Sequence, residues 1–242
     1  PEAIKQAAEL IGQSKRPVIM AGHGIIISGA YKELQEFAEK GQFPVVTTLL
    51  GISSFKSNHV LNIGLPGMHG SAYASHTINE SDLLIALGMR FDDRVTSKVS
   101  LFAPNAKVIH VDIDPAEHNK NLKTIAPIVG DVREVLTQLS EELESSTHVE
   151  WIRWIDNMRR DHAKSYALPS GSDLTTQFAE SRIAEAIGHE GVVVTGVGQH
   201  QMWAAQYYKF KEPRSYISSL GLGTMGFGYP AALGVKVARP DK

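Results

Sequence analysis

The chain has 242 residues, 43% hydrophobic and 21% charged, with no cysteine and a formal net charge of −2. It is long enough for one large domain or two small ones and reads as a protein of a reducing compartment, without a disulfide framework. Near-neutral charge gives no broad attraction to nucleic acid, and the apolar runs are strand-sized, far short of a membrane span, with no secretion signal expected at the amino end. Small molecules and protein partners remain.

From the amino end, Ile4, Ala7, Ala8 and Ile11 recur at helical spacing, and Gly12 is placed to stop that helix. A short buried strand over 17–21 breaks into Gly22, His23 and Gly24, and a helix follows with Tyr31, Leu34, Phe37 and Ala38 on one face, ending near Gly41. The two glycines suit either close approach to a phosphate or ribose, or simply a tight turn, because Gly-x-Gly arises without any ligand. A strand over 43–48 comes next, β-branched in its middle and carrying hydroxyls at its exit. The long connection over 49–70 holds Gly51, Gly64, Gly67 and Gly70, and reads as a candidate functional loop. It leads to a helix over 71–79 whose first amides can receive a ligand's polar edge. Met68 in that loop is either core filler or a ligand contact.

The stretch that organises the chain is 81–95, SDLLIALGMRFDDRV. Five apolar residues over 83–87 run into Gly88 and then Arg90, Asp92, Asp93 and Arg94. That is the pattern of a central parallel strand buried on both faces, with polar chemistry at its carboxyl end. The charged turn is either a solvated set of ion pairs or the edge of a ligand site. A strand over 107–112 ends in Asp112, where a carboxylate accepts ribose hydroxyls in dinucleotide folds, and Asp114 reads as a helix cap. A further strand over 125–129 leads through Gly130 and Asp131 into a helix with Val132, Val135, Leu136, Leu139 and Leu143 on its apolar face. Strand and helix alternate over residues 1–143, which predicts a doubly wound, mostly parallel, Rossmann-like α/β sheet of five or six strands.

Residues 144–172 read as a linker with one aromatic helix carrying Trp151, Trp154, Ile155 and Met158. A second unit over 173–242 starts with helical residues around Phe178, Ile183 and Ile187. A strand over 192–195 then breaks into a glycine loop at Gly196 and Gly198. A second strand at Tyr216 and Ile217 opens into Gly221, Gly223, Gly226 and Gly228, with Pro230 suited to the first turn of a helix. Two glycine loops after adjacent strands can line one phosphate site. Two strands are too little sheet for an independent layered domain, so this unit is read as incomplete.

Four segments then carry a family resemblance: GMHG over 67–70, RFDDRV over 90–95, VGQHQMWAAQ over 197–206 and GLGTMGFGYPAALG over 221–234. Over essentially its whole length the chain resembles the catalytic subunits of acetolactate (acetohydroxyacid) synthases, thiamine-diphosphate enzymes of branched-chain amino-acid synthesis. The resemblance implies the family's central FAD-binding domain over 1–143, and the opening of its thiamine-diphosphate domain over 173–242. The family's first domain, with the glutamate that activates the thiamine ring, and the magnesium-binding motif fall outside the resemblance, so no catalytic base and no metal ligand is assigned here.

By the same resemblance, FAD contacts fall on Gly22, Gly24, Thr48, Leu49, Gly67, Met68, His69, Gly88, Arg90, Asp92, Arg94, Val95, Asp112, Ile113, Asp131 and Val132, with Gln201 and Met202 reaching the flavin from the second unit. Gly198, Gln199 and His200 resemble the loop that meets thiamine diphosphate. Gly223 belongs to the second glycine loop, and Met225 is the wedge that holds that cofactor bent. Arg94 and Met68 are assigned to substrate binding, and Arg94 is tied to the second keto acid's carboxylate, which suits a guanidinium's paired donors; pairing with Asp93 is the plain alternative. The implied whole is an enzyme that condenses two pyruvates, or pyruvate and 2-oxobutyrate, with loss of CO2. It would use thiamine diphosphate, Mg2+ and FAD, as a homodimer or tetramer in the cytoplasm, or in an organelle of a eukaryote. A regulatory subunit stays open. So do a pyruvate oxidase or glyoxylate carboligase type of enzyme, and a nucleotide-binding module without turnover.

Overall fold

The computed structural model describes residues 2–167 and 174–242. Its larger sheet has six strands, all parallel, in the order β3-β2-β1-β4-β5-β6: β1 (Pro17–Ala21), β2 (Val45–Thr47), β3 (Asn62–Gly64), β4 (Leu83–Leu87), β5 (Lys107–Asp112) and β6 (Ala126–Val129). Central strands β1 and β4 are buried at every position, which is why they read as unbroken apolar runs rather than as alternation.

The alternation reappears in what each side chain packs against. Ile19, Leu83, Ile85, Leu87, Ile109 and Val111 join α1 (Glu2–Gln13), α3 (Tyr31–Gly41) and α6 (Val132–Glu142) in one core. Val18, Met20, Leu84, Ala86 and Val108 face the opposite way, into a second core with α4 (Ala72–Asn79) and α7 (Val149–His162). A strand's period of two therefore builds a three-layer sandwich, helices on both faces of one sheet.

The observed elements depart from the expected ones in three places. A helix α2 (His23–Ser28) begins directly after Gly22, inside what the sequence suggests is a loop. Its Ile25 and Ile26 are buried, Ile25 in the core shared with α3 and α6, and that burial overrides the poor helix propensity of three consecutive β-branched residues. Strand β2 starts at Val45 rather than Phe43, because Pro44 has no N–H to give the ladder, although its carbonyl still accepts from Ile19 N at 2.9 Å. The long connection over 49–70 contains a 3-10 turn, Leu49–Gly51, and the edge strand β3.

In the aromatic segment, Trp151 is buried, donates its indole N–H to Pro17 O at 3.1 Å and stacks on Trp154 at 5.1 Å. Helix α7 is thereby fixed to the second face of the sheet. The end of that connection expected over 168–172 lies outside the described residues. Beyond it come α8 (Thr176–Ala186), β7 (Val193–Thr195), α9 (Gln199–Tyr207), β8 (Tyr216–Ser218) and α10 (Gly228–Ala238), with β7 and β8 paired in parallel as a two-stranded sheet.

Candidate functional site: a cavity at the switch point of the sheet

Strand β1 lies between β2 and β4, so the chain leaves neighbouring strands β1 and β4 in opposite directions. After β1 it turns towards the first core, where Ile25 is buried. After β4 it turns towards the second, where Met89 and Phe91 are buried. Diverging exits leave a crevice at the carboxyl ends of the strands, the place where open parallel sheets take ligands.

Glycines make the crossing possible. Gly22 N donates to Leu87 O and Gly24 N to Gly88 O, both at 2.9 Å. A Cβ on Gly24 would lie 2.6 Å from Gly88 Cα, and one on Gly88, at φ +57°, would lie 2.5 Å from Gly24 Cα. The Gly22 and Gly24 amides are thus engaged with the β4 exit, and the first glycine loop works here as a backbone-to-backbone contact.

In the crevice is a cavity of about 340 Å³. From the exits of β1 and β2 it is walled by His23, Thr48, Leu49 and Leu50, and from the exit of β4 by Gly88, Met89, Arg90, Asp92, Arg94 and Val95. His69 comes from the 65–70 loop, Gln201 and Met202 from α9, and Ser219, Leu220 and Gly223 from the loop after β8. Three of the four resemblance segments thus meet around it, with a glycine of the fourth.

Local chemistry holds each wall. Asp92 caps the short helix α5 (Asp93–Thr96) by accepting from Arg94 N and Val95 N, at 3.1 and 3.3 Å, and pairs with Arg90 at 3.3 Å. Arg94 pairs with Asp93 at 3.2 Å, and its Nη1 lies 4.0 Å from Met68 Sδ. These exposed pairs orient the guanidinium groups more than they stabilise the fold. The GMHG loop docks on the same turn, with Met68 N donating to Arg94 O at 3.0 Å and Gly67 at φ +85°, where a Cβ would strike Arg94 O. Thr48 Oγ1 accepts from Gly51 N at 3.2 Å, and His23 Nδ1 meets Leu50 O at 3.1 Å.

The second unit is tied to this edge by direct bonds. Gln206 Nε2 donates to His69 O at 2.7 Å, Arg214 Nη2 to Ile26 O at 2.8 Å, and Ser57 exchanges bonds with Phe210, each at 3.0 Å. Within it, Gln201 Nε2 donates to Ser218 Oγ at 2.7 Å, while Tyr216 OH donates to Gln201 O at 3.1 Å. Burial raises the Tyr216 phenol above its usual range, so that donor keeps its proton.

Other sequence candidates lie apart from the cavity. Met68 is more than half exposed and, with Gly67, lines a neighbouring depression of about 270 Å³ under α4. Asp112 and Ile113 sit at the exit of β5, with Ile113 exposed, and Asp131 caps α6 by accepting from Arg133 N at 2.9 Å, while the Val132 side chain is in the core. Gly198, Gln199 and His200 stand at the exposed start of α9, and Met225 projects from the loop after β8, 84% exposed. Conversely, His23, Leu50, Met89 and Ser219 line the cavity without having been singled out. Only strand-exit position could have flagged His23, Leu50 and Met89. Among the described residues no group of three or more His, Asp or Glu is placed to hold a metal ion.

Comparison with known proteins places this architecture. Residues 4–139 match the family described as "Thiamine pyrophosphate enzyme, central domain". The chain belongs to the thiamine pyrophosphate enzyme family. Residues 196–242 match that family's "C-terminal TPP binding domain". Among individual thiamine pyrophosphate enzymes, the chain is 46% identical over 244 residues to an acetolactate synthase large subunit of Corynebacterium glutamicum, covering 99% of this chain and 39% of the relative. It is 44% identical over 245 residues to acetolactate synthase 1, chloroplastic, of Zea mays, covering 99% and 38%. It is also 44% identical over 248 residues to a probable acetolactate synthase large subunit of Methanocaldococcus jannaschii, covering 99% and 42%. The chain therefore spans about two fifths of the length of these relatives.

Proposed function

We propose that the complete protein is an acetolactate synthase, and that this chain supplies its flavin-binding edge together with the start of its thiamine-diphosphate site. The observation that carries the reading is the cavity at the switch point. Segments that mark the family resemblance, scattered over more than 130 residues of chain, meet there in one wall.

The chemistry of the wall suits FAD. Leu49, Leu50, Met89, Val95, Met202 and Leu220 offer an apolar surface for a flat ring, while Arg90, Arg94, His23, His69, Thr48 and Ser219 supply donors around it. A cavity of about 340 Å³ stands at the lower end of the usual ligand range, about 300–1,000 Å³, which is room for a ring system rather than a whole dinucleotide. Asp112 and Asp131 continue the same carboxyl edge of the sheet, at the ends of β5 and β6, and are the candidates for the remaining polar contacts. Domain limits of 1–143 and 173–242, joined by 144–172, are part of the same proposal.

When bound, thiamine diphosphate supplies the electron sink for decarboxylation. The residues of this chain bind and orient. Arg94, held by Asp93 and lying against Met68, presents paired donors to a substrate carboxylate. Asp92 fixes the turn that carries Arg90 and Arg94. The apolar wall excludes water, and Met225 presents an exposed apolar side chain as a wedge. The condensation has no net redox change, so FAD serves mainly as structure. The complete enzyme is expected to act on small 2-keto acids as a dimer or tetramer, in the cytoplasm or in an organelle of a eukaryote.

The test is to supply the full-length gene product with pyruvate, thiamine diphosphate, Mg2+ and FAD and to identify the product. Acetolactate supports the proposal. Acetyl phosphate or acetate formed with reduction of oxygen, or no consumption of pyruvate by a protein that has bound both cofactors, overturns it.

A further inference from the structure

His110 sits in the middle of β5, 1% exposed, at a position that strand alternation gives to an apolar core beside Val108. An imidazole there needs a partner, and it has one. Nε2 lies 2.9 Å from Met89 O. A carbonyl oxygen only accepts, so Nε2 carries the proton. Nδ1 is buried and, among the described residues, has no hydrogen-bond partner, which suits the neutral ring, because a second N–H there would be a buried donor without an acceptor.

The rest of the surroundings agree. Phe91 meets the ring edge-on at 5.2 Å and His118 at 4.8 Å. Among the described residues, the charged or titratable groups around it are His118 and Glu117 from the 115–118 turn and Asp112 at the end of its own strand, whose Oδ2 lies 3.9 Å from Nε2. Met89 belongs to the cavity wall between Gly88 and Arg90. The ring thus links the exit of β4 to the middle of β5.

We propose that His110 is a positioning residue for the cavity: by donating Nε2–H to the Met89 carbonyl it fixes the backbone over 88–90, and with it the placement of Arg90. This rests on the flavin reading of the cavity only for its functional consequence; the positioning role itself is a property of the protein.

Burial holds the His110 pKa below its usual value, opposed by the Met89 carbonyl and reinforced by His118. When the β4 exit opens, the ring is released towards its ordinary value near 6.5 and takes up a proton more readily than when closed. Acid therefore favours the open state, and the closed state loses ground as pH falls below about 6.5.

The test uses the full-length gene product, with His110→Phe, which keeps bulk and loses the donor, and His110→Gln, which keeps a donor near the Nε2 position and cannot titrate. Two readouts are taken: hydrogen–deuterium exchange over residues 88–95, and FAD affinity by flavin fluorescence at pH 7.5 and 5.5. His110→Phe is expected to speed exchange in this segment and to weaken FAD about ten-fold, the scale of a buried carbonyl left unpaired. His110→Gln is expected to restore both at pH 7.5 and to lose the weakening at pH 5.5 expected of the native protein. The proposal is overturned if folded His110→Phe exchanges like the native protein, or if the pH dependence survives in His110→Gln. If the native protein binds no FAD, the flavin reading fails, and exchange alone decides the role of His110.

Discussion

Single residues on this chain are governed by contacts that are distant in sequence. Gly88 could be read as a hinge after a buried strand, but its partner could not: the residue it must leave room for is Gly24, at the far side of the sheet's crossing. Gly88→Ala would place a Cβ 2.5 Å from Gly24 Cα in a left-handed backbone conformation. The backbone strain alone costs about 1–3 kcal/mol, and the clash with main chain adds to it. Urea unfolding should show a loss of at least that size, together with loss of flavin binding. A variant as stable as the native protein would mean that the two exits separate freely. The charged turn shows the opposite case. The ion pairs of the solvated reading exist, Arg90 with Asp92 and Arg94 with Asp93, and three of the four side chains, Arg90, Asp92 and Arg94, also line the cavity.

At the scale of elements, long periodic segments were legible and short ones were not. The apolar faces of α1, α3 and α6 follow from helical spacing, because each helix buries one stripe against the same sheet face. Strand β3 has only three residues, two of them Asn62 and Gly64, so it carries no alternation to detect. Helix α2 was hidden for a different reason, its β-branched run favouring extended backbone until tertiary burial decided otherwise. Helix α7 was visible as an aromatic helix, yet its attachment was not, since the indole of Trp151 finds Pro17 O across most of the chain's length. Trp151→Ala is expected to destabilise the protein by about 3–5 kcal/mol, the usual cost of emptying such a site, read as a shift of the chemical denaturation midpoint. A shift under about 1 kcal/mol would show that α7 is not part of the sheet's cooperative core.

For the whole molecule, the decisive event is the meeting of the two α/β units over the carboxyl edge of the larger sheet. Phe210 is central to that contact: it is buried against Tyr208 and Tyr216, with ring centroids at 4.7 and 5.2 Å, while its backbone bonds with Ser57. Phe210→Ala is expected to cost about 3–5 kcal/mol, to separate the thermal transition into two steps, and to weaken FAD, because Gln201 and Met202 leave the wall. Unchanged flavin affinity in a variant so destabilised would show that the first unit forms the site unaided.

By itself the sequence determined the alternation of strand and helix, the two-faced burial of β4, the gathering of polar residues at strand exits and the family of the chain. Each of these is written in local spacing or in short motifs. Tertiary structure alone decided strand order, the divergence of the β1 and β4 exits, the Gly24–Gly88 contact and the joining of α9 to the cavity. None of these has a local signature, because each depends on which distant backbone lies alongside. The same physics hides His110: in sequence it is one polar residue interrupting an apolar strand, and only the packed sheet places a carbonyl in front of its ring.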